Sequence, residues 1–322
     1  MMADITGAAV RCGGKSGTHS ELLKSIRRRW QLLLFILIPL VWLLVFKYYP
    51  MLGVQIAFKK YRIADGIWGS KWIGFDNFVK FFQSYQFSRV LINTLRISFY
   101  SLIASFPLPI VLALCLNAMN SLRYKKFVQT LTYIPHFIST VVLVGMILQI
   151  FNTRVGVYGY FGRLLLGQTP PDILGSPVAF TNLYVWSGVW QNMGWSSIIY
   201  MASLSAADQT LHEAAQVDGA SRFQRCLHID LPALLPTAII LLIMNAGSVM
   251  SVGFEKVYLM QNALNLSQSE VISTYVYKSS LTASGNDFSY GTAIDLFNSL
   301  VNMLLLVVVN SISRRVSETS LW

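Results

Sequence analysis

The strongest constraint on this chain is a succession of six apolar runs that are too long for the core of a soluble domain. Each run offers about 20 mostly apolar residues, the length that crosses a bilayer as a helix. Only 12% of the 322 residues are charged, about half the share in a soluble globular chain. Helices satisfy all of their backbone polar groups internally, as lipid requires, so we expect an all-α polytopic membrane protein.

The six predicted membrane spans are separated by polar or charged segments. They cover residues 30–49, 91–117, 132–151, 183–204, 234–254 and 290–312. Pro107 and Pro109 predict a kink in the second span, because each removes a backbone donor. Pro135 is expected in the first turn of the third span, where proline is tolerated. The domain organisation is then an N-terminal tail over 1–29, predicted to be disordered, and a six-span domain over 30–322.

The positions of the basic residues predict the orientation in the membrane. Basic residues cluster before the first span, in the short loop 121–127 and after the last span at Arg314 and Arg315. Short cytoplasmic loops carry an excess of Lys and Arg, so both termini and the loop 205–236 are predicted to be cytoplasmic. The segment 47–89 holds seven Lys and Arg on the outer side, but long loops count little in this rule. The net charge of +11 indicates contact with the membrane surface, and we expect no nucleic acid partner.

The outer segment before the second span contains an apolar pattern at helical spacing. The pattern consists of Trp72, Phe75, Phe78, Val79, Phe82 and Tyr85. Asp76 is predicted to be the N-cap of this helix. Two interpretations stay open: a helix that lies at the outer membrane interface, and a docking surface for a partner protein.

The predicted cytoplasmic loop 205–236 has the pattern of a helix–turn–helix elbow. Thr210 and Glu213 have the spacing of a capping box and predict a helix start at Thr210. Asp218 and Gly219 predict a turn, and residues 220–229 read as a second short helix. The local pattern fits a rigid docking element and an ordinary amphipathic connector equally well.

The same loop resembles a known motif. Glu213, Ala214 and Ala215, then Asp218, Gly219 and Ala220, followed by Ile229, Pro232 and Pro236, are similar to the EAA motif of binding-protein-dependent ABC importers. The resemblance extends over nearly the whole chain after the tail. The carbohydrate branch of the family, which is maltose-importer-like, is resembled by segments 74–78, 93–94, 126–130 and 133–139. These segments look most similar to oligosaccharide and oligouronate (alginate-type) permeases.

This resemblance implies the type I ABC importer permease fold and a location in the bacterial inner membrane. It implies an ATP-driven importer that moves an oligosaccharide or related sugar inward and alternates between inward- and outward-facing states. The implied partners are a second, different permease subunit, two ATPase subunits and a periplasmic substrate-binding protein. ATP and Mg would be bound by the ATPases, with no cofactor in this chain. The implied coupling residues are Glu213, Ala214, Ala215, Asp218, Gly219 and Ala220.

Polar residues inside the predicted spans are candidates for the substrate path. Asp295, Asn298 and Asn302 share one face of span six, while Asn245 and Ser248 share a face of span five. Trp190 and Asn192 in span four are candidates for a stacking and a hydrogen-bonding group, with interface anchoring or lipid-facing packing as the favoured alternative for the tryptophan. Polar side chains at membrane depth face a cavity or another helix, so the alternative of purely structural interhelical hydrogen bonds stays open.

The sequence offers little support for other functional classes. The alternative of a secondary transporter or channel without ATP coupling would predict repeated hydropathy halves or several intramembrane charges, whereas Asp295 is the one acid well inside a predicted span. The three cysteines and four histidines are scattered, so we expect no metal site and no catalytic residues. The chain also has no complete phosphate-binding loop, so we expect a transporter subunit rather than an enzyme.

Overall fold

The computed structural model describes residues 30–206, 208–282 and 287–317, so the predicted tail 1–29 lies outside the described residues. The chain divides into two units, Met1–Gln55 and Ile56–Trp322. The described part of the first unit is helical. Helix α1 spans Trp30–Leu43 and continues through a π-helical turn, Leu44–Tyr48, and a single turn, Tyr49–Met51. A 3₁₀ helix, Leu52–Phe58, follows.

The segment before the second span folds into short elements. Strands β1, Lys59–Lys60, and β2, Lys71–Trp72, pair antiparallel around a helical turn, Gly66–Gly69. Helix α2 then spans Asp76–Gln83. The predicted N-cap is wrong by one residue: Phe75 occupies the cap position without a side-chain hydrogen bond, and Asp76 is the first helical residue.

The buried face of helix α2 differs from the apolar face that the sequence pattern predicted. Phe81 is 1% exposed and packs against Tyr290 and Ile294, and Asn77 donates a hydrogen bond to the carbonyl of Ala57 at 2.8 Å. The predicted apolar face remains exposed on this chain, as at Phe75, Val79 and Phe82. Both open interpretations, an interface helix and a docking surface, require such a face, and the choice between them stays a prediction.

The second span is interrupted at its prolines. Helix α3 spans Tyr85–Ser105 and helix α4 spans Pro107–Asn117. The interruption at Phe106 lies immediately before Pro107, where the sequence predicted the kink, because proline offers no backbone donor.

The third span departs from the predicted single helix. Helix α5, Leu122–Tyr133, leads into a 3₁₀ turn, Ile134–Phe137, and then into helix α6, Thr140–Ile150. The two helical arms are bent by 98°, so Pro135 lies in the bend and not in the first turn of a span. Proline lacks a donor and restricts the residue before it, and Ser139 starts α6 anew by accepting a hydrogen bond from the backbone of Val142.

The longest central helix follows a short connecting helix. Helix α7, Val157–Leu166, is followed by helix α8, Pro177–Ser205, whose first turn is capped by Ser176. Helix α8 contains the predicted fourth span and packs against α3, α4 and α5. Its buried residues form apolar clusters with neighbouring helices, for example Tyr200 and Leu204.

The remaining elements complete the second unit. They are α9, Gln209–Val217; a turn, Arg222–Arg225; a π-helical turn, Cys226–Asp230; α10, Leu231–Ala246; α11, Phe254–Met260; a turn, Leu266–Ser269; α12, Ile272–Tyr277; a π-helical turn, Lys278–Thr282; and α13, Phe288–Ser317. The predicted fifth span is too long, because α10 ends at Ala246. The side chain of Asn302 accepts a hydrogen bond from the backbone of Met250 at 2.9 Å, which replaces a helical partner beyond that end.

A buried carboxylate fastens the segment between α11 and α13 to α3. Glu270 is 3% exposed and forms ion pairs with Arg89 and with Lys278. The side-chain amide of Asn93 donates to the carbonyl oxygens of Ser267 and Glu270, both at 3.0 Å. Partners on both sides offset the cost of burying the charge, which holds this connection in one conformation.

Length and composition identify four helices that can cross a membrane among the described residues. They are Leu34–Phe58, Tyr85–Asn117, Arg222–Ala246 and Phe288–Arg315. The bent pair α5–α6 supplies a fifth if it forms one span. Helix α8, with 29 residues, has the length for a further crossing. The all-α polytopic fold is confirmed, and the count is roughly consistent with six spans.

Gly194 allows α8 to approach α5 closely, and a substitution at this position tests how tightly the two helices pack. A Cβ at Gly194 would overlap the carbonyl group of Thr132. We expect Gly194→Ala to destabilise the protein by about 1–3 kcal/mol, because backbone must shift to admit the methyl group. Gly145→Ala in α6 is the control, since its Cβ would meet nothing within 4 Å. The measurement is the thermal midpoint of the detergent-purified protein; equal midpoints for the two variants would contradict the proposed close packing.

Candidate functional site: the elbow and a polar cavity

The elbow 205–236 begins with a cap that the sequence pattern missed. Helix α9 starts at Gln209, and the carboxylate of Asp208 accepts a hydrogen bond from the backbone N–H of Thr210 at 2.9 Å. Donation from the backbone and the hydroxyl of Thr210 lowers the pKa of Asp208. The predicted capping box of Thr210 and Glu213 is therefore wrong, because the aspartate two residues before Thr210 already holds the cap position.

The turn of the elbow is at the predicted position. Gly219 has a φ of +80°, a backbone conformation that side chains disfavour. The backbone N–H of Ala220 donates to the carbonyl of Ala215 at 2.9 Å, which closes the end of α9. A Cβ at Gly219 would meet nothing within 4 Å, so only the backbone conformation opposes a larger residue there.

A second cap fixes the direction of the chain after the turn. Ser221 and Gln224 form a reciprocal capping box: the N–H of Ser221 donates to Gln224 Oε1 at 2.7 Å, and the N–H of Gln224 donates to Ser221 Oγ at 3.3 Å. The predicted helix 220–229 is present as the turn Arg222–Arg225 and the π-helical turn Cys226–Asp230. Both halves of the elbow thus have a capped start.

The elbow exposes large apolar side chains. Val217 is 88% exposed and Phe223 is 75% exposed, one on each side of the Gly219 turn. Glu213 is also exposed, and no hydrogen bond or ion pair of the described residues involves its side chain. The sequence analysis missed Phe223, although an aromatic residue in a polar loop is a signal that could have identified it. Such a protruding apolar surface suits contact with another protein.

The base of the elbow is fastened to α4 by a buried aspartate. Asp230 is 4% exposed; its Oδ1 accepts a hydrogen bond from Asn117 Nδ2 at 3.1 Å and lies 3.2 Å from His212 Nε2. These contacts connect α9, the end of α4 and the start of α10. Hydrogen bonds at Asp230 therefore hold the elbow against the end of α4 and the start of α10.

Removing this anchor should loosen the elbow. Asp230→Ala leaves Asn117 and His212 without their acceptor, at a cost of about 1–3 kcal/mol. We expect hydrogen exchange of the α9 amides to become about tenfold faster or more, measured by mass spectrometry. Asp218→Ala is the control, because this exposed carboxylate contributes no such anchor. Unchanged exchange in Asp230→Ala would contradict the anchoring role.

A polar cavity of about 480 Å³ lies between α3, α4, α8, α10 and α11. Two of the predicted path residues, Asn192 and Asn245, line it together. Ser248 and Asn245 line a smaller neighbouring cavity of about 170 Å³. The structure thus brings these three predicted residues together, although Asn192 lies on α8, Asn245 on α10 and Ser248 just beyond the end of α10.

Two aromatic side chains and one cationic side chain that the sequence analysis missed lie at this cavity or beside it. His136 stacks on Trp195 with 4.5 Å between ring centroids, and its Nδ1 lies 3.0 Å from Asn192 Oδ1. Lys256 also lines the cavity. Trp195 lies one helical turn after Asn192, and that spacing could have identified it. Lys256 gave no such signal, because its position depends on how α11 packs.

The other predicted path residues lie elsewhere. Trp190 lines a separate, mainly apolar cavity beside Trp186. Asn302 hydrogen bonds to the backbone of Met250 and to Ser251 Oγ. Asn298 Oδ1 is buried without a partner among the described residues, and Asp295 is exposed on α13. None of these four lines the polar cavity.

The described residues contain no group of three or more His, Cys, Asp or Glu that could hold a metal ion. The fold and the elbow define a class: a polytopic helical membrane protein with an exposed, capped elbow between two of its helices. Residues 105–318 match the family of binding-protein-dependent transport system inner membrane components, and the chain belongs to this family.

Relatives of known name agree with this membership. Protein LplB of Bacillus subtilis (strain 168) is 40% identical over 318 residues, which are 98% of this chain and 97% of that protein. The polygalacturonan/rhamnogalacturonan transport system permease protein YteP of the same organism is 38% identical, covering 94% of this chain and 92% of the relative. A chain in the crystal structure of a bacterial alginate ABC transporter, in complex with an alginate pentasaccharide-bound periplasmic protein, is 38% identical with a TM-score of 0.84. That match covers 94% of this chain and 100% of the other.

These comparisons confirm the main expectations from the sequence. The chain is a permease subunit of an ABC importer in the inner membrane, with the fold of that class, and it is a transporter subunit rather than an enzyme. The resemblance to sugar permeases, including the alginate type, is also confirmed. No comparison supports the alternative of a secondary transporter or channel without ATP coupling.

Proposed function

We propose that this chain moves an oligosaccharide from a periplasmic binding protein into the cytoplasm, driven by separate ATPase subunits that bind ATP and Mg. The observation that carries the proposal is the exposed elbow around Gly219, capped on both sides and anchored through Asp230. Relatives named for polygalacturonan/rhamnogalacturonan transport and for alginate transport support an oligosaccharide as the cargo. The complex would contain two ATPase subunits and a second permease that is a different chain.

The elbow is the proposed docking site for an ATPase. Val217 and Phe223 would enter an apolar cleft of that subunit, and Glu213 would pair with a basic group on it. The small side chains of Ala214, Ala215 and Ala220 let the partner approach closely, and Asp218 and Gly219 form the turn between the two halves. Glu213 is available for an ion pair because Asp208, and not Glu213, caps the helix.

Movement of the ATPase would reach the membrane through two helices. Asp230 connects the elbow to the end of α4 and to the start of α10. Asn245, at the far end of α10, lines the polar cavity. A displacement at the elbow therefore changes the walls of the cavity, which is the physical basis for alternation between inward- and outward-facing states.

The polar cavity is the proposed place where the sugar passes. Asn192 and Asn245 offer amide donors and acceptors, Ser248 extends this polar wall, and Trp195 offers a ring for stacking. Sugars combine hydroxyl groups with apolar ring faces, so such a lining suits them. Four further candidates from the sequence do not line this cavity: Trp190, Asp295, Asn298 and Asn302. We assign Asn302 to helix packing, because it binds the backbone of Met250.

The proposed topology places the elbow and both chain ends in the cytoplasm. Basic side chains lie in the 121–127 loop and at the end of α13, Arg314 and Arg315. The N-terminal tail 1–29 would also be cytoplasmic, followed by the six-span domain 30–322. The positive-inside rule supports this orientation.

A substitution in the turn tests the coupling assignment. Gly219→Val forces a β-branched residue into a left-handed conformation at a cost of about 1–2 kcal/mol, and it re-aims the second half of the elbow. We expect reduced transport and reduced binding-protein-stimulated ATP hydrolysis in the reconstituted complex, while the chain still inserts and assembles.

Gly167→Val is the matched control for this experiment. Gly167 has a φ of +68° and equally open surroundings, but it lies at the end of α7, away from the elbow. The same backbone strain at that position should leave stimulated ATP hydrolysis near the wild-type level. Full stimulated activity in Gly219→Val would overturn the coupling assignment.

A second pair of variants separates the cavity from helix packing. Asn245→Leu removes a polar group from the cavity wall and should lower sugar uptake, with stability nearly unchanged. Asn302→Ala removes the acceptor of the Met250 N–H and should instead lower stability by about 1–3 kcal/mol. Uptake in proteoliposomes and thermal midpoints distinguish the two effects. Wild-type uptake kinetics in Asn245→Leu would exclude this asparagine from the path.

A further inference from the structure

Lys256 places a cation in the wall of the polar cavity. It lies on α11, is 9% exposed, and its Nζ donates a hydrogen bond to the carbonyl oxygen of Tyr184 at 2.9 Å. The Nζ also lies 4.8 Å from the centroid of the Tyr184 ring. No ion pair to Lys256 is present among the described residues.

The described lining of the cavity carries positive charge and no negative charge. Among the described residues that line it, Lys256 is the single charged side chain, and no carboxylate is present. Asp295, the acid that would repel an anion, does not line the cavity. The wall therefore offers positive charge together with the amides of Asn192 and Asn245.

An ammonium group carries three hydrogen-bond donors. Among the described residues, the Lys256 ammonium has one hydrogen bond, to the Tyr184 carbonyl, and one cation–π contact, with the Tyr184 ring. Lysine is rarely buried without an anionic partner, because removal of the charge from water is costly. A carboxylate that enters the cavity would offset this cost and form a charge-assisted hydrogen bond, which is roughly twice as strong as a neutral one. A neutral hydroxyl could accept a hydrogen bond but would leave the charge uncompensated.

Fastening α11 to α8 is an alternative role for Lys256, since Tyr184 lies on α8. However, the same attachment is already supplied by the Tyr184 hydroxyl, which accepts a hydrogen bond from the backbone N–H of Gly253 at 3.2 Å. A neutral donor would bind the Tyr184 carbonyl without the cost of a buried charge. The fastening role therefore does not explain why a cation stands at this position.

We propose that Lys256 binds the carboxylate of an acidic sugar residue as it passes, and so selects oligosaccharides that contain uronic acids. The proposal rests on the proposed function, because it names the substrate class of the same cavity. Asn192 and Asn245 would then contact hydroxyl groups while Lys256 contacts the carboxylate.

The test uses the reconstituted complex of this chain with its partner permease, ATPases and binding protein in proteoliposomes. The acidic probes are trigalacturonate and trimannuronate, and the neutral probes are galactotriose and maltotriose. Lys256→Met keeps most of the side-chain length but removes the charge, and should lower uptake of the acidic probe at least about tenfold. Lys256→Arg keeps the charge and should retain most of the uptake.

Two readouts separate selectivity from damage to the fold. In Lys256→Met, binding-protein-stimulated ATP hydrolysis should fall less than uptake of the acidic probes, because the elbow and the outer surface are unaltered. Lys71→Met, which removes an exposed lysine from strand β2, is the control for a change of charge outside the cavity and should transport normally.

Three results would overturn the inference and leave the proposed function in place. They are wild-type uptake of acidic probes by Lys256→Met, equal losses of transport and stimulated ATP hydrolysis in both Lys256 variants, and a wild-type complex that imports only the neutral probes. A wild-type complex that imports none of the four probes with ATP present would instead contradict the proposed function itself.

Discussion

The structure depends on one constraint: wherever a helix is interrupted within the bundle, another polar group must bind the backbone that the interruption leaves free. The bend before α6 leaves the carbonyl of Ile138 free, and Gln191 Nε2 of α8 donates to it at 2.7 Å. Beyond the end of α10, the N–H of Met250 finds the side chain of Asn302. At the first residue of α12, the N–H of Ile272 donates to Thr94 Oγ1 at 3.0 Å. An unpaired backbone group in a membrane costs several kcal/mol, so these side chains decide which interruptions are tolerated.

The same constraint separates structural from functional polar residues. An amide that binds free backbone, as Asn302 does, is committed to the fold. Asn245 lines an open cavity, and its side chain has no such commitment among the described residues. Polar character at membrane depth therefore predicts a role only after the hydrogen bonds of each residue have been assigned.

The elbow and the cavity occupy opposite ends of the same helix. Asp230 anchors the elbow at the start of α10 and Asn245 reaches the cavity near its end, about 15 residues or roughly 22 Å away. Pro236 lies inside α10, so this helix lacks one backbone donor near its elbow end. Elsewhere in the second unit, the buried Glu270 pairs with Arg89 of α3 and with Lys278 after α12. Helix α10 thus connects the exposed elbow to the polar cavity.

The sequence by itself determined the helical class, the approximate spans and the elbow with its Gly219 turn, because each depends on local composition or on residues a few positions apart. The tertiary structure decided the 98° bend at Pro135, the end of α10 at Ala246 and the union of Asn192 with Asn245. It also decided that Lys256 enters the cavity wall. The Asp208 cap of α9 is different, because it is a hydrogen bond between residues two positions apart. A local pattern can offer a polar face, but only contacts between distant segments determine which of its groups are satisfied. Those contacts depend on how the helices pack, and a single sequence does not encode them in any short-range pattern.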